Sequence, residues 1–508
     1  MKNEFVKKYQ DKIQGVLGCY DRVVIKGTLH EASHSGGMMN LLNRKGILYK
    51  DYPKFVAPYR NEVHKNAEAI SQAEQVPIEF IRNSKKVRKE DLVQKQIEQS
   101  VKKTGLVCIL SAMERCNNYR YKYDRVNQKS LLVSTGGKCL HYYFYFIDSE
   151  LGLCYLRVPT WCPFQLQFYF NAHNWLANQL DKSGVEYELR DNAFVHIGDY
   201  AKAQELSDKF DVKKLHQTIN SYAQKYCPSA FQLCPVGYRW TIMQIEYATD
   251  IIFKDSKTLA PIYDEILKTM MHTVTPDDVA RFLGRKKVHG KNNLEIQSSY
   301  KQVKRQEMRR LKHTMDSSSV KMYDKFGRIL RIETTTNNTT NFSHYRSVEH
   351  RDGTQTSKVA PVKKSIYSIK GLVPILKACN NRYLTFIAAI NTPISGQKRL
   401  KKITKSTKVN NRSYKGFNFF DSEDERLLCT IAKGDFCIKG FANKHIRKHL
   451  PEKSSAQVSR LLKRLHVKGL IKKVGNTYRY YMTTLGRKTV NTALKVKELF
   501  IVQNLDYV

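Results

Sequence analysis

The sequence is short of acidic residues. It has 46 Asp and Glu against 87 Lys and Arg, which leaves a formal net charge of +41 over 508 residues. A folded chain with this excess repels itself unless an anionic partner offsets the charge, so the composition predicts a polyanion as partner. The hydrophobic content of 41% excludes a mainly disordered chain. The length indicates several folding units, at about one per 150 residues.

The sequence also lacks long apolar runs. No segment approaches the roughly 20 apolar residues that cross a bilayer, and the start, MKNEFVKKYQDK, has no apolar core of a signal peptide. The eleven cysteines include no C-x-x-C pair and no His partners at ligand spacing. We therefore expect a cytoplasmic protein with reduced thiols, no membrane partner and no zinc. The G-x-x-x-x-G-K-S/T pattern is missing as well, which argues against a nucleotide cofactor.

Composition shifts divide the chain into four segments. From Gln397 to Gly416 there are eight Lys or Arg and no acid, which is typical of a basic linker. After Gly416 the net charge is +10, and the preceding part carries +31. Two prolines between Cys227 and Gly237 predict a further break. We predict an α+β multidomain protein: a mixed helix and sheet body in two segments, 1–230 and 231–390, a linker at 391–416, and a winged-helix domain at 417–508.

Hydrophobic periodicity predicts the elements of the body. CLHYYFYFID and LGLCYLRVP read as a hairpin closed around Ser149–Leu151, and PFQLQFYFNAHNWLANQL as one long buried helix. QIEYATD reads as helical, with Glu246 and Asp250 on one face four residues apart. Four antiparallel strands are predicted between about Lys286 and Thr336.

The last 90 residues predict three helices followed by a hairpin. The helix SEDERLLCTIAKG has a serine cap and an acidic first turn, and a third helix begins at a Ser454 cap and ends at Gly469. The hairpin turns around Gly475–Asn476. Over about 70 residues this pattern resembles a winged helix-turn-helix of the MarR type, with Ser454 to His466 as recognition helix and Lys472 to Arg479 in the wing. The resemblance implies DNA binding, whereas a winged helix used only for protein contacts is the alternative.

Polar and basic side chains are the candidate nucleic-acid contacts. The outward face of the third helix, the wing and the segment LGRKKVHGKNN supply them. The candidates are Gln457, Ser459, Arg460, Lys463, Arg464, Lys472, Lys473, Arg479, Arg285, Lys286 and Lys287.

The segment SSSVKMYDKFGRILRIETTT is the main candidate for chemistry. It predicts a hairpin around Phe326–Gly327, and a two-residue turn would bring Asp324 onto the same face as Arg331 and Glu333. Carboxylates beside an arginine can bind Mg²⁺ or Mn²⁺ and act on a phosphodiester. We therefore predict Asp324, Glu333 and Arg331 as catalytic, whereas a surface hairpin with cross-strand ion pairs is the alternative.

Further carboxylates could complete such a metal site. Glu246 and Asp250 could share the ion with Asp324 and Glu333, although a nearby cation would explain their spacing equally well. Asp21 and Glu114 lie at strand ends where a two-metal site could gather them. His141, His173 and His196 lie in apolar runs and are predicted to be core residues.

Two resemblances concern the body. K-x-Y-D-K followed by R-I-E is similar, over fewer than fifteen residues, to a segment of plasmid rolling-circle replication initiators, but their H-x-H metal motif is absent. The segments YDRVVIKGTL, RVPTWCPFQLQ and QIEYATD resemble a widespread group of bacterial proteins of similar length, which implies one coherent architecture and assigns no catalytic residue.

These observations predict a DNA-binding protein whose winged helix selects a site and whose basic body holds or processes a strand. A mobile-element nuclease, recombinase or replication factor fits this description. The alternatives are a non-catalytic transcription regulator, whose body senses a ligand or forms a homodimer, and an RNA-binding protein.

Overall fold

The computed structural model of the protein describes residues 3–82, 88–99, 104–285, 296–303, 308–390, 400–434, 436, 440–475 and 477–497. The chain forms two compact units. The first, called here the body unit, comprises residues 1–264 and 275–385, and the second, the C-terminal unit, comprises residues 265–274 and 386–508. Each unit has its own buried hydrophobic core.

A single large sheet organises the body unit. Its strands are β1 (Ile13–Leu29), β2 (Ile78–Phe80), β3 (Gly105–Asp124), β4 (Lys129–Asp148), β5 (Gly152–Pro159), β6 (Leu166–Asn171), β9 (Tyr238–Phe253), β10 (Ile296–Val303), β11 (Met308–Met315), β12 (Ser318–Lys325) and β13 (Ile329–Thr336). The order is β10-β11-β12-β13-β9-β1-β6-β5-β4-β3-β2, and neighbours are antiparallel except β2 and β3. Separate two-stranded sheets are formed by β7 (Tyr187–Arg190) with β8 (Ala193–Ile197), and by β14 (Ser343–Glu349) with β15 (Gln355–Pro361).

Helices alternate with these strands along the chain. They are α1 (Glu4–Lys8), α2 (Ser35–Arg44), α3 (Tyr52–Glu74), α4 (Lys89–Gln99), α5 (Ala172–Lys182), α6 (Tyr200–Asp208), α7 (Val212–Tyr226), α8 (Pro228–Leu233), α9 (Ser256–Thr273), α10 (Pro276–Phe282) and α11 (Ser368–Ile390). Within the described residues, no helix combines the length and apolar composition that crossing a membrane requires.

Helix α7 illustrates how the sequence builds the core. Its buried residues recur at helical spacing, Asp211 caps its first turn, and two of its tyrosines, Tyr222 and Tyr226, face the sheet. The ring centroid of Tyr222 lies 4.1 Å from that of Phe146, and that of Tyr226 lies 4.4 Å from that of Phe144. Aromatic packing between β4 and α7 therefore holds this part of the body together.

The α+β fold class and the hairpin of β4 and β5 are confirmed. The long helix predicted over PFQLQFYFNAHNWLANQL is wrong in its first half, because Leu166–Asn171 is strand β6 and only Ala172–Lys182 is helix α5. QIEYATD is not helical either and lies within β9. Because β1 and β13 both pair with β9, one sheet spans the boundary predicted between residues 230 and 231.

The register of β12 and β13 corrects the predicted hairpin. Lys325 pairs with Ile329, so the loop contains three residues, of which Phe326 and Gly327 have left-handed backbone conformations. Compared with a two-residue turn, the pairing shifts by one residue. Glu333 therefore lies opposite Lys321 on one face, whereas Asp324 points to the other face.

The C-terminal unit is built from short elements. Those described are β16 (Thr407–Val409), β17 (Arg412–Tyr414), α12 (Ser422–Ile431), α13 (Asn443–Arg447), α14 (Ser455–Val467), β18 (Ile471–Lys473), β19 (Tyr480–Met482) and α15 (Thr484–Val496). Ser454 caps α14, and Gly469 follows the helix with a left-handed φ of 75°, as predicted. The cap of α12 is Asp421, not the predicted serine. A bridge between Phe441 and Tyr480 joins the hairpin of β18 and β19 to the start of α13.

Candidate functional site

Three buried carboxylates converge on one face of the large sheet. Asp21 of β1, Glu246 of β9 and Glu333 of β13 each offer an oxygen, and these atoms all lie within 4.8 Å of one another. We call this group the acid cleft, because the three residues line a cavity of about 170 Å³. The side chains come from three adjacent strands, so the sheet itself fixes their spacing.

Strand register explains the convergence. Glu333 pairs with Ala248 and Thr335 pairs with Glu246, so the two glutamates are diagonal neighbours on one face. On β1, Cys19 pairs with Ala248 and Tyr20 with Tyr247, so the same register places Asp21 opposite Glu246 of β9. A bulge follows directly, because two residues of β1 between Tyr20 and Val23 face the single residue Glu246.

Arg331 lies beneath the acid cleft and is almost fully buried, at 1% exposure. Its Nε and Nη2 atoms donate to the two carboxylate oxygens of Asp250 at 2.6 and 2.7 Å, and Nη1 donates to Asp21 at 3.1 Å. Nη2 also donates to the backbone oxygen of Asn192. Such a bidentate pair is among the strongest charge-assisted contacts, so Arg331 and Asp250 position Asp21.

Lys321 of β12 holds the other two carboxylates. Its Nζ donates to Oε1 of Glu333 at 2.6 Å and to Oε1 of Glu246 at 3.1 Å. The hydroxyl of Thr335 donates to the same two oxygens, at 3.4 and 3.2 Å. One ammonium group therefore offsets the negative charge of both glutamates.

The rim of the cleft combines polar and basic groups. Asn192, in the turn between β7 and β8, donates to Asp21 and accepts from Lys325. Tyr323, 9% exposed, also lines the cavity, and its hydroxyl has no hydrogen-bond partner within the described part of the chain. The rim therefore offers a cation and a phenol beside the carboxylates.

The carboxyl groups in and below the cleft differ in pKa. Burial and the nearby charge of Glu333 raise the pKa of Glu246 to about 7, against the opposing effect of Lys321. Burial would also raise the pKa of Asp250, but Arg331 and His173 outweigh it and lower that pKa to about 2. The same two side chains hold the pKa of Asp21 below its usual value despite burial. Glu246 can thus exchange a proton near neutral pH while Asp21 stays ionised.

This arrangement can bind a hard divalent cation. Carboxylate oxygens are the ligands that Mg²⁺ and Mn²⁺ prefer, and Mg²⁺ keeps several of its waters. Lys325 lies where it can contact an anionic ligand entering the cavity.

Comparison with family models, curated proteins and solved structures finds no match to this chain.

The structure places the predicted catalytic and metal residues differently. Glu333 and Glu246 meet in the acid cleft, together with Asp21. Asp324 does not join them, because it lies on the opposite face and accepts from Arg309 at 2.8 Å. Asp250 is engaged by Arg331, whose three nitrogens all donate within the protein, so Arg331 is a positioning residue and does not face the cavity.

The remaining sequence candidates differ in their distance from the cleft. Glu114 lies away from it and contacts Lys89, Arg157 and Tyr143. His173 is buried as predicted, but it lies between two acids, with Nδ1 3.6 Å from Asp21 and Nε2 3.8 Å from Asp250. In the sequence, this contact is indicated only by the position of His173 just after Asn171, where strand β6 ends. The apolar neighbours of His173 favoured a core role instead.

The C-terminal unit presents a second, basic surface. Its α14 and its hairpin carry exposed side chains that we call the basic face: Gln457, Ser459, Arg460, Lys463, Lys472, Lys473 and Arg479. The Oε1 atom of the exposed Gln457 caps the helix by accepting from the backbone nitrogen of Ser454. Cations also surround His445, whose pKa is lowered by burial and by the charges of Lys444, Arg479 and Lys448.

Arg464 does not belong to the basic face, contrary to prediction. It donates to both oxygens of Asp424, at 2.7 and 2.8 Å, and its guanidinium carbon lies 3.9 Å from the ring centroid of Phe417. Arg464 therefore supports packing of the C-terminal unit.

In the body unit, Nη2 of Arg285 lies 3.7 Å from Oδ2 of Asp316, and Lys286 and Lys287 lie outside the described residues.

Proposed function

We propose that the protein binds DNA and that the C-terminal unit reads it as a winged helix. The observation that carries this proposal is the basic face, in which exposed donors on α14 stand next to a hairpin with three further cations. A helix presented in this way fits the major groove, and cations on a hairpin fit phosphate or the minor groove. The element order, helix, bridge, helix, helix, hairpin and helix, supports the same assignment.

Charge supports DNA over a protein partner. Arg460, Lys463, Lys472 and Arg479 form no ion pair with any described residue, so their charges remain available for phosphates. Protein interfaces are depleted in lysine at their centres, whereas nucleic-acid surfaces are enriched in it. The formal charge of +10 after Gly416 agrees with this assignment.

Selection from a random duplex library tests the proposal. We expect the wild-type protein to enrich a defined sequence, and Arg460→Ala to lose preference at one position by about 1 to 3 kcal/mol. Arg426→Ala is the matched control, because Arg426 is exposed in the same unit but pairs with Glu452 away from the basic face. Equal enrichment by Arg460→Ala and Arg426→Ala contradicts the proposal. Tighter binding of a matched RNA library favours the RNA-binding alternative.

A second candidate function is metal-dependent phosphodiester cleavage or strand transfer at the acid cleft. The observation that favours it is the convergence of Asp21, Glu246 and Glu333 beside Lys325 and Tyr323. A divalent ion held by three carboxylates would polarise a phosphate oxygen and orient the attacking group. Lys325 would offset negative charge on the phosphate.

Glu333→Gln tests this chemistry, since it keeps the shape of the side chain but removes a ligand charge. We expect wild-type protein with Mg²⁺ or Mn²⁺ to cut or join single- or double-stranded DNA, and Glu333→Gln to bind DNA without converting it. Glu349→Gln, an exposed glutamate of β14, is the control and should convert DNA at the wild-type rate. If the wild-type protein converts none of these substrates with either metal, the non-catalytic regulator takes first place.

A further inference from the structure

Lys321 is the cation that balances the glutamates of the acid cleft. One ammonium contacts both Glu333 and Glu246, and the lysine side chain is only 11% exposed. Arg331 is directed at Asp21 and Asp250 instead. Within the described residues, no other Lys or Arg forms an ion pair with either glutamate. Removing Lys321 therefore leaves two buried carboxylates without an ion-pair partner among the described residues.

Lys321 already contacts both glutamates of the cleft. Its Nζ lies 2.6 Å from Oε1 of Glu333 and 3.1 Å from Oε1 of Glu246. A Mg²⁺ ion would sit about 2.1 Å from carboxylate oxygens of the same residues, so its double positive charge would repel the neighbouring ammonium group. Lysine has a flexible four-carbon side chain, which lets its ammonium group move away while the backbone stays in the sheet.

The cleft contains a further sign of a ligand. The hydroxyl of Tyr323 has no hydrogen-bond partner among the described residues, although the side chain is nine-tenths buried and lines the cavity. The hydroxyl itself opens into the cavity, where ordered water or a bound ligand can pair with it. The cavity of about 170 Å³ has room for several waters at roughly 30 Å³ each, as a partly hydrated cation requires.

We propose that Lys321 is the resident counter-ion of a divalent-cation site formed by Asp21, Glu246 and Glu333, and that Mg²⁺ or Mn²⁺ displaces its ammonium group. This inference deepens the phosphodiester function proposed above and rests on it for the role of the metal. The displaced ammonium stays near the cavity, where it adds a positive charge for an entering phosphate. Metal binding would then supply two positive groups for the phosphate, the bound cation and the displaced ammonium group.

The test uses full-length protein stripped with EDTA and titrated with MnCl₂ or MgCl₂ alone. Lys321→Met should have a lower unfolding midpoint than wild type in EDTA, because two glutamates lose their counter-ion. Mn²⁺ should raise that midpoint by more than it raises the wild-type midpoint, and calorimetry should give a Kd at least tenfold lower. Glu246→Gln should show the opposite pattern, with an unchanged or higher midpoint in EDTA and weakened Mn²⁺ binding.

Lys312→Met is the matched control. Lys312 pairs with Lys321 across β11 and β12 and shares its face, but it makes no ion pair with the cleft carboxylates. The proposal is overturned if Lys321→Met binds Mn²⁺ no more tightly than Lys312→Met, or if Mn²⁺ affects neither the wild type nor any variant. Metal binding without DNA conversion would contradict the phosphodiester function and leave the displacement of Lys321 intact.

Discussion

At the scale of single residues, the buried arginine of β13 is a major structural contact of the body unit. Arg331 is nearly inaccessible to solvent and contacts two carboxylates, Asp21 and Asp250. Arg331→Met should lower the free energy of unfolding by about 3 to 5 kcal/mol, because it leaves buried charges unpaired. Urea unfolding measures the change. Arg190→Ala, which removes an exposed pair with Glu188, should change stability by less than about 1 kcal/mol, and equal losses would contradict this role.

A second residue links stability to pH. His313 of β11 lies between Ser298 and Tyr383, and burial lowers its pKa to about 4. Between pH 6.5 and 4 the unfolded chain binds a proton at this residue and the folded chain does not, so stability falls as pH falls.

Comparison of wild type with His313→Gln isolates that contribution. Going from pH 7 to 4.5, wild type should lose about 2 to 3 kcal/mol more unfolding free energy than the variant. Urea unfolding at a series of pH values gives the difference. Parallel pH profiles would show that His313 is not the group responsible.

Sequence reasoning identified part of the acid cleft. The alternating pattern of a hairpin indicates Glu333, the four-residue spacing to Asp250 on a predicted helix indicates Glu246, and the start of a β-branched run indicates Asp21. Asp324 was misplaced because the face of a strand residue depends on register, and one additional loop residue reverses it. The convergence of the three carboxylates depends on the long-range pairing of β1, β9 and β13, which local sequence patterns do not encode.

At the scale of elements, the misassigned segments share one cause. Residues four apart lie on the same face of both a helix and a strand, so the spacing of Glu246 and Asp250 could not distinguish the two. In the segment before α5, Leu166, Phe168 and Phe170 alternate with polar or partly exposed residues, which is the strand signal. That signal covered only six residues and was outweighed by the helix that follows.

The two arginines of α14 should separate stability from DNA binding. Arg464→Ala removes a bidentate, largely buried pair with Asp424 and should cost the C-terminal unit about 3 kcal/mol. Arg460→Ala should leave the unfolding midpoint unchanged and weaken DNA binding. Thermal unfolding and fluorescence anisotropy on the same two preparations compare these effects. If Arg464→Ala is stable but binds DNA more weakly, Arg464 contacts DNA as part of the basic face, as first predicted.

A close contact in the first turn of α15 gives another prediction for this unit. A Cβ atom at Gly486 would lie 2.0 Å from the backbone oxygen of Leu470, so Gly486→Ala should destabilise the unit by about 1 to 3 kcal/mol. Gly434→Ala is the control, because nothing lies within 4 Å of its added Cβ atom. Thermal unfolding compares the two variants, and equal midpoints would contradict tight packing at Gly486.

At the scale of the whole molecule, net charge should dominate affinity. With +41 in total, binding should release many counter-ions from DNA, and the logarithm of affinity should fall with the logarithm of salt concentration with a slope of about −5 or steeper. Fluorescence anisotropy between about 50 and 300 mM salt measures this slope. A shallow slope would mean that few phosphates are contacted.

The acid cleft also has a consequence for protein synthesis. Its carboxylates lie at positions 21, 246 and 333, and the strand that carries Glu333 is the last of the three to be made. A ribosome that has not yet reached codon 333 has made Asp21 and Glu246 but not their third partner. A chain released at that stage by a premature stop codon therefore lacks one of the three carboxylates and cannot form the acid cleft.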